Sequence, residues 1–236
     1  MRHSNRKNNQ LREIEIVVGY NPYAEGSCLI KFGNTHVICT ASVEDKVPQW
    51  LKGQNKGWVT AEYAMIPRSA QQRITREVKK PTGRTQEIQR LVGRALRAVV
   101  DLEKMKDISI CIDCDVILAD GGTRTASITG GFVALYMAVQ KLMKERKIVS
   151  NPIREFVAAV SCGIVNGQKV LDVDYVEDSA AQADVNFVIS ESGKIVEVQG
   201  TAEEKPFEEK EFLELMALAK SGILELIEKQ KEALGV

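Results

Sequence analysis

After a polar and basic opening stretch, Ile14, Ile16 and Val18 alternate with Glu13, Glu15 and Val17, the period of two that lets a strand bury one face. Two further strands span Ser27 to Phe32 and His36 to Val43. Gly33 and Asn34 between them have the chemistry of a tight turn, so the pair predicts an antiparallel hairpin. A fourth strand covers Gly57 to Met65, and Pro67 closes it. From there to Gly83 neither period holds, which predicts a long loop carrying Arg68, Arg73, Arg76, Lys79 and Lys80. The period then lengthens. Ile88, Leu91, Val92, Ala95 and Val99 fall on one helical face, with Thr85 read as the N-cap and Glu87 in the first turn, while Arg90, Arg94 and Arg97 occupy the other face.

The rest of the chain repeats this logic. A strand from Ile108 to Leu118 runs into a Gly-rich turn and a helix through Phe132, Leu135, Tyr136, Val139, Leu142 and Met143. Strands follow at Phe156 to Val165, Lys169 to Val173, Val185 to Ser190 and Ile195 to Gln199, with Asn166-Gly167 and Ser192-Gly193 as hairpin turns. An amphipathic helix covers roughly Glu208 to Ala233. Each half is thus a set of mainly antiparallel strands followed by a long helix. This predicts an α+β fold of two similar βα halves with mainly antiparallel or mixed sheets and long helices, about 10–104 and 107–235, packed as a single core over 1–236.

Charge changes the picture locally. The net charge of zero gives no global attraction to nucleic acid. Yet Arg68 to Arg97 holds nine Lys or Arg against two acids, and Glu203 to Val236 holds nine Glu against five Lys, so a basic middle faces an acidic tail. The five cysteines are odd in number and mostly sit in apolar alternation, as reduced core thiols do. With no secretory signal and no apolar run long enough for a membrane helix, the sequence predicts a soluble, cytoplasmic protein with no membrane partner.

The segment Asp120-Gly121-Gly122-Thr123-Arg124-Thr125-Ala126-Ser127 follows a strand and opens a helix. Free backbone N–H groups and the Arg124 guanidinium could converge there on an anion; the alternative is a plain strand-to-helix turn. Neither a nucleoside-triphosphate P-loop nor a dinucleotide fingerprint fits. Arg84, beside Gly83 at the other helix start, could face the same anion or be a solvated side chain. Asp178 and Asp184 lie about 120° apart on a continuous helix, and converge only if a short helical turn breaks into a strand between them. Such a pair suits Mg²⁺ or Mn²⁺, with Asp113, Asp115 and Asp120 as a rival set and two solvated carboxylates as the bland alternative. Cys111 and Cys114 at an odd strand offset point to opposite faces, which argues against zinc, and two histidines, His3 and His36, leave little for histidine catalysis. The basic loop and the Arg90, Arg94, Arg97 stripe could bind an RNA backbone, with a solvated face or subunit contact equally open for the stripe.

Several runs carry a resemblance: Ala24-Glu25-Gly26-Ser27, Gly57 to Tyr63, Thr82-Gly83-Arg84-Thr85 with Glu87-Ile88-Gln89-Arg90, Asp113 to Val116, Ala119 to Gly131, Asp174 to Ala181, and Glu197 to Glu203. Together they resemble the ribonuclease PH family of phosphate-dependent tRNA nucleotidyltransferases, over the length of the chain. The resemblance implies a ribosomal-protein-S5-domain-2-like fold and a homohexameric ring built as a trimer of dimers. It implies that inorganic phosphate serves as co-substrate in trimming tRNA precursors beyond the CCA end, with the range of other RNA 3′ ends, ribosomal RNA included, left open. Residue by residue, it puts phosphate on Arg84, Gly122, Thr123 and Arg124 with Ser127 nearby, a divalent metal on Asp178 and Asp184, and tRNA contact on Arg68, Arg73 and Arg76.

Overall fold

The computed structural model describes residues 2–77, 80–203 and 205–236, so Lys79 of the basic loop lies outside the described residues. Five strands, β1 (Ile14–Val18), β2 (Gly26–Phe32), β3 (Thr35–Glu44), β4 (Trp58–Met65) and β5 (Ser109–Leu118), form one sheet in the order β1-β2-β3-β5-β4. Helix α1 (Gly83–Ala98) connects β4 to β5, and these two strands pair in parallel. The first sheet is therefore mixed, within the expectation of mainly antiparallel or mixed sheets. The hairpin at Gly33-Asn34 forms in register, Phe32 opposite Thr35.

Helix α2 (Thr123–Lys144) leaves β5 and runs between the sheets, packing on β2 and β3 on one side and on β6 (Val157–Val165) on the other. Its residues from Thr125 to Leu135 are all buried, which is why its apolar positions run around the helix instead of forming a stripe. The second sheet has the order β7-β6-β8-β9, with β7 (Gln168–Leu171), β8 (Ala183–Ser190) and β9 (Ile195–Ala202), all antiparallel. A five-residue helix α3 (Tyr175–Ser179) interrupts the path from β7 to β8. Helix α4 (Glu209–Leu234) covers β6, β7 and β1.

The buried side chains of both sheets and of α1, α2 and α4 make one continuous cluster, with Phe32, Phe132 and Phe187 among its largest fully buried members. Cys28, Cys39 and Cys114 lie opposite one another on β2, β3 and β5, inside the core and unbonded to one another by disulfides. Among the described residues no helix is long and apolar enough to cross a membrane.

Candidate active site

Where the end of β5 meets the second sheet, a cavity of about 880 Å³ opens. Its wall includes Arg84 from α1, Gly122, Thr123 and Arg124 at the start of α2, Asp178 from α3 and Asp184 from β8. Residues drawn from both halves of the chain thus meet in one place, and the helical turn between the two aspartates breaks into a strand as their convergence requires.

The α1 end differs from its sequence reading. Thr82, with extended φ and ψ of −65° and 165°, is the N-cap, and its hydroxyl accepts from the Thr85 amide at 3.2 Å. The helix begins a turn earlier than the apolar period shows, so Arg84 belongs to its first turn and is exposed to the cleft. The Glu77 carboxylate accepts from the Thr82 amide and the Thr85 hydroxyl, each at 3.1 Å, so the one acid beside the basic loop serves as a second cap.

At the turn into α2, Gly121 and Gly122 take φ of +74° and +66°, the left-handed region that a side chain disfavours. An added Cβ on Gly121 would lie 2.7 Å from the Asp174 carbonyl carbon and 2.8 Å from the Tyr175 nitrogen, so the loop rests directly on the start of α3. Its carbonyls are held from behind. Arg12 Nη1 donates to the Asp120 oxygen at 2.6 Å, and Thr35 Oγ1 donates to the Gly121 oxygen at 2.6 Å while accepting from the Asp120 amide at 2.9 Å. Arg12 is itself fixed by Asp172, which accepts from Nη2 at 2.7 Å and Nε at 3.1 Å. With the carbonyls engaged, the first amides of α2, which lack partners within the helix, are the groups left to meet a ligand, at the end of the helix dipole that favours an anion. Arg124 Nη1 meanwhile donates to Gln199 Oε1 at 3.0 Å and lies 3.5 Å from Glu87.

Asp178 is exposed to the cleft and Asp184 is half-buried. The walls push both carboxyls above the usual range. At Asp178 the nearby charges of Arg84 and Arg124 oppose this, and at Asp184 the charges of Asp178 and Glu203 add to it. Among the described residues neither carboxylate accepts a hydrogen bond from another side chain. Two hard oxygen donors with free lone pairs, facing two arginines across a cavity, fit a Mg²⁺ or Mn²⁺ shared with a phosphate. His3, Asp174 and Glu177 lie closer together, but Arg2 and Arg6 already engage those carboxylates.

Other residues fall outside this arrangement. Ser127 is fully buried and its hydroxyl donates to the Thr123 oxygen at 2.8 Å within α2, so it does not reach the cavity. The arginine stripe on α1 is partly committed: Arg94 Nε bonds Glu197 of β9 at 3.1 Å, and Arg97 lies 4.2 Å from the Trp58 ring centroid, which leaves Arg90 exposed. Asp113 and Asp115 sit on the open face of β5 away from the cavity, whereas Asp120 does line it but accepts from the Tyr175 amide and the Asn34 side chain, each at 3.3 Å. Arg68, Arg73 and Arg76 are exposed and do not line the cavity, whereas Ala70, Gln71, Gln72 and Ile74 of the same loop do.

The sequence reading missed the N-terminal arm. Arg2 is buried and donates from Nε to Glu177 at 2.6 Å and from Nη1 to the Leu171 oxygen at 2.9 Å; Arg6 and His3 bind Asp174. Asp174 and Glu177 also form the capping box that starts α3. The arm therefore fixes the helix that carries Asp178. The Asp-x-x-Glu spacing at Asp174 to Glu177 was the signal available for it.

Comparison with known proteins agrees over the whole chain. Residues 10–140 match the model of the 3′ exoribonuclease family, domain 1, and residues 155–222 match domain 2 of the same family. Ribonuclease PH of Methylobacterium nodulans is 58% identical over 238 residues, covering 100% of both chains. Ribonuclease PH of Rhodospirillum rubrum is 56% identical over 99% of this chain and 98% of its own. Among solved structures, the Archaeoglobus fulgidus exosome with RNA bound to the active site is similar with a TM-score of 0.80 at 22% identity, covering 97% of this chain and 92% of that one. Rice (Oryza sativa) Rrp46 gives 0.79 at 15% identity over 98% of each.

Proposed function

Since this chain belongs to the 3′ exoribonuclease family, and within it matches ribonuclease PH enzymes end to end, we infer that it is a phosphorolytic 3′-to-5′ exoribonuclease and tRNA nucleotidyltransferase. Its substrates are tRNA precursors carrying nucleotides beyond the CCA end, and inorganic phosphate is the co-substrate. The observation that carries the site assignment is that two arginines and a helix start without a side-chain cap face, across one cavity, two carboxylates that accept no side-chain hydrogen bond among the described residues.

In this reading Arg84, Arg124 and the amides of Gly122 to Arg124 hold the phosphate. One of its oxygens attacks the phosphorus of the terminal phosphodiester in line. A phosphoanhydride bond forms, the bond to the 3′-oxygen of the shortened RNA breaks, and a nucleoside diphosphate leaves. The residues act by positioning and by offsetting charge, with no covalent protein intermediate. Asp178 and Asp184 would hold Mg²⁺ or Mn²⁺, which when bound supplies positive charge at the scissile phosphate. The reverse reaction extends RNA from nucleoside diphosphates. Exposed Arg68, Arg73, Arg76 and Arg90 would attract the RNA backbone beside the cleft, a contribution that weakens with salt. A homohexameric ring in the cytoplasm completes the reading; the likeness of the chain in fold to exosome chains supports the assembly.

The deciding experiment incubates the protein with a 3′-extended tRNA, with and without phosphate and Mg²⁺, and identifies the released nucleotide. Nucleoside diphosphate appearing only with phosphate is expected. Nucleoside monophosphate released without phosphate would make the chain a hydrolase, and no release would make it an RNA-binding scaffold.

A further inference from the structure

Ser161, on β6, lines the same cavity although only 4% of it is exposed. Its backbone is committed: the carbonyl accepts from the Asp172 amide at 2.7 Å, and the residue pairs with Asn186 of β8, which also lines the cavity. Its hydroxyl is not. Ser161 Oγ is buried with no hydrogen-bond partner, and of the buried polar atoms in that condition among the described residues, the others being on Ser69, Ser109 and Gln230, it alone borders the cavity. A buried hydroxyl left unmet is costly, and native proteins keep few of them without a use. Its position indicates the use. A Cβ placed on Gly122 would stand 3.7 Å from Ser161 Oγ, so the hydroxyl sits beside the residue that opens α2.

We propose that Ser161 is a phosphate-contact residue whose hydroxyl donates a hydrogen bond to an oxygen of the anion seated on the Gly122 to Arg124 amides. In the reverse direction the same oxygen belongs to the terminal phosphate of the nucleoside diphosphate. The hydroxyl reaches this anion from the second sheet, opposite the arginines of α1 and α2, so the anion is gripped by both halves of the chain. A serine can turn its proton toward the ligand without moving its backbone. This inference rests on the phosphate reading of the cavity.

The test is steady-state phosphorolysis of a 3′-extended tRNA by the full chain and by Ser161→Ala, with melting measured with and without inorganic phosphate. Removing one charge-assisted hydrogen bond should raise the KM for phosphate about tenfold. The KM for RNA should be unchanged and the KM for nucleoside diphosphate in the reverse assay should rise. Without phosphate the variant should melt no lower than the parent, because an unmet buried hydroxyl has been removed, and added phosphate should raise its Tm less. Ser161→Cys, close in volume but a weak donor, should resemble the alanine variant. An unchanged phosphate KM in Ser161→Ala, a rise confined to the RNA KM, or parental behaviour of Ser161→Cys would each overturn the proposal. Arg124→Ala separates the two levels: if it keeps the parental phosphate KM, the phosphate reading itself fails, whereas a raised KM there beside an unchanged one in Ser161→Ala sinks the serine contact alone.

Discussion

Replacing Gly121 with alanine should separate the turn into α2 from the start of α3. The new methyl would lie 2.7 Å from the Asp174 carbonyl carbon, 2.8 Å from the Tyr175 nitrogen and 2.9 Å from the Val173 oxygen, all backbone atoms that no rotamer change can move aside. Carbon atoms in contact need about 3.5 Å, so loop and α3 must part by roughly 0.8 Å. The φ of +74° adds its own cost of about 1–2 kcal/mol for a residue with a side chain, and forced overpacking adds about 1–3 kcal/mol. Gly193 isolates the first of these, since its φ is +79° and an added Cβ there meets nothing within 4 Å. Gly193→Ala should therefore lose about 1–2 kcal/mol and keep parental turnover, while Gly121→Ala loses about 2–5 kcal/mol. Because α3 carries Asp178, and a displacement near 1 Å in a positioned group can cost on the order of 100-fold, kcat of Gly121→Ala should fall roughly 10- to 100-fold with little change in the KM for RNA. Urea unfolding gives the stabilities, and phosphorolysis at saturating phosphate and Mg²⁺ gives kcat. Equal stability and turnover for the two variants would refute the claim that loop and helix are in rigid contact.

Arg12→Lys keeps the charge but loses the fork that joins Asp172 to the loop carbonyls; its phosphate KM should rise roughly 5- to 30-fold while RNA affinity holds, measured by initial rates against phosphate. Arg2→Met removes the bidentate guanidinium and leaves buried Glu177 to Arg6 and the Asp174 amide, so unfolding in urea should show a loss of about 3 kcal/mol, part of which Glu177→Gln in the same chain should restore. Asp184 has a raised pKa in the folded state, so its contribution to stability is present in acid and is lost as pH rises through that pKa; Asp184→Asn should then melt higher than the parent at neutral pH without metal, while its phosphorolysis is abolished. For the same reason the Asp178 and Asp184 carboxyls should titrate above an ordinary aspartate in the metal-free protein, followed by NMR, and added Mg²⁺ should bring them down; no response to Mg²⁺ would count against the metal assignment.

Local pattern in the sequence carried much of the fold. The Gly33-Asn34 hairpin, the core thiols at Cys28, Cys39 and Cys114, and the helix beginning at Thr123 are all written in periods of two or 3.6 and in turn residues. What escaped depends on distant partners. The parallel pairing of β4 with β5 follows from the path of α1 over the sheet, which no alternation within either strand records. Helix α3 has five residues, too few for a period, and owes its shape to its capping box and to Arg2. In the sequence Arg2 and Arg6 are part of a polar, basic opening stretch and Arg12 carries no mark of its own, because their acids stand some 160 or more positions away. At the site, residue types were legible but facing was not: Thr123, Arg124, Asp178 and Asp184 reach the cavity, whereas Ser127, one helical turn further on, spends its hydroxyl on the Thr123 carbonyl.

The ion pair of Arg2 with Glu177 also bears on how the chain is made. Its partners are 175 positions apart, and a ribosome adding about 5–20 residues each second needs roughly 10–35 s to travel from one to the other. The first sheet and its helices can fold during that interval, but the aspartate helix has neither its sequence nor its clasp until the second sheet is emerging. A nascent chain therefore carries Arg84 and the turn into α2 well before Asp172 and α3 arrive to hold that turn and close the cavity, and becomes able to cut RNA only when its synthesis is nearly over.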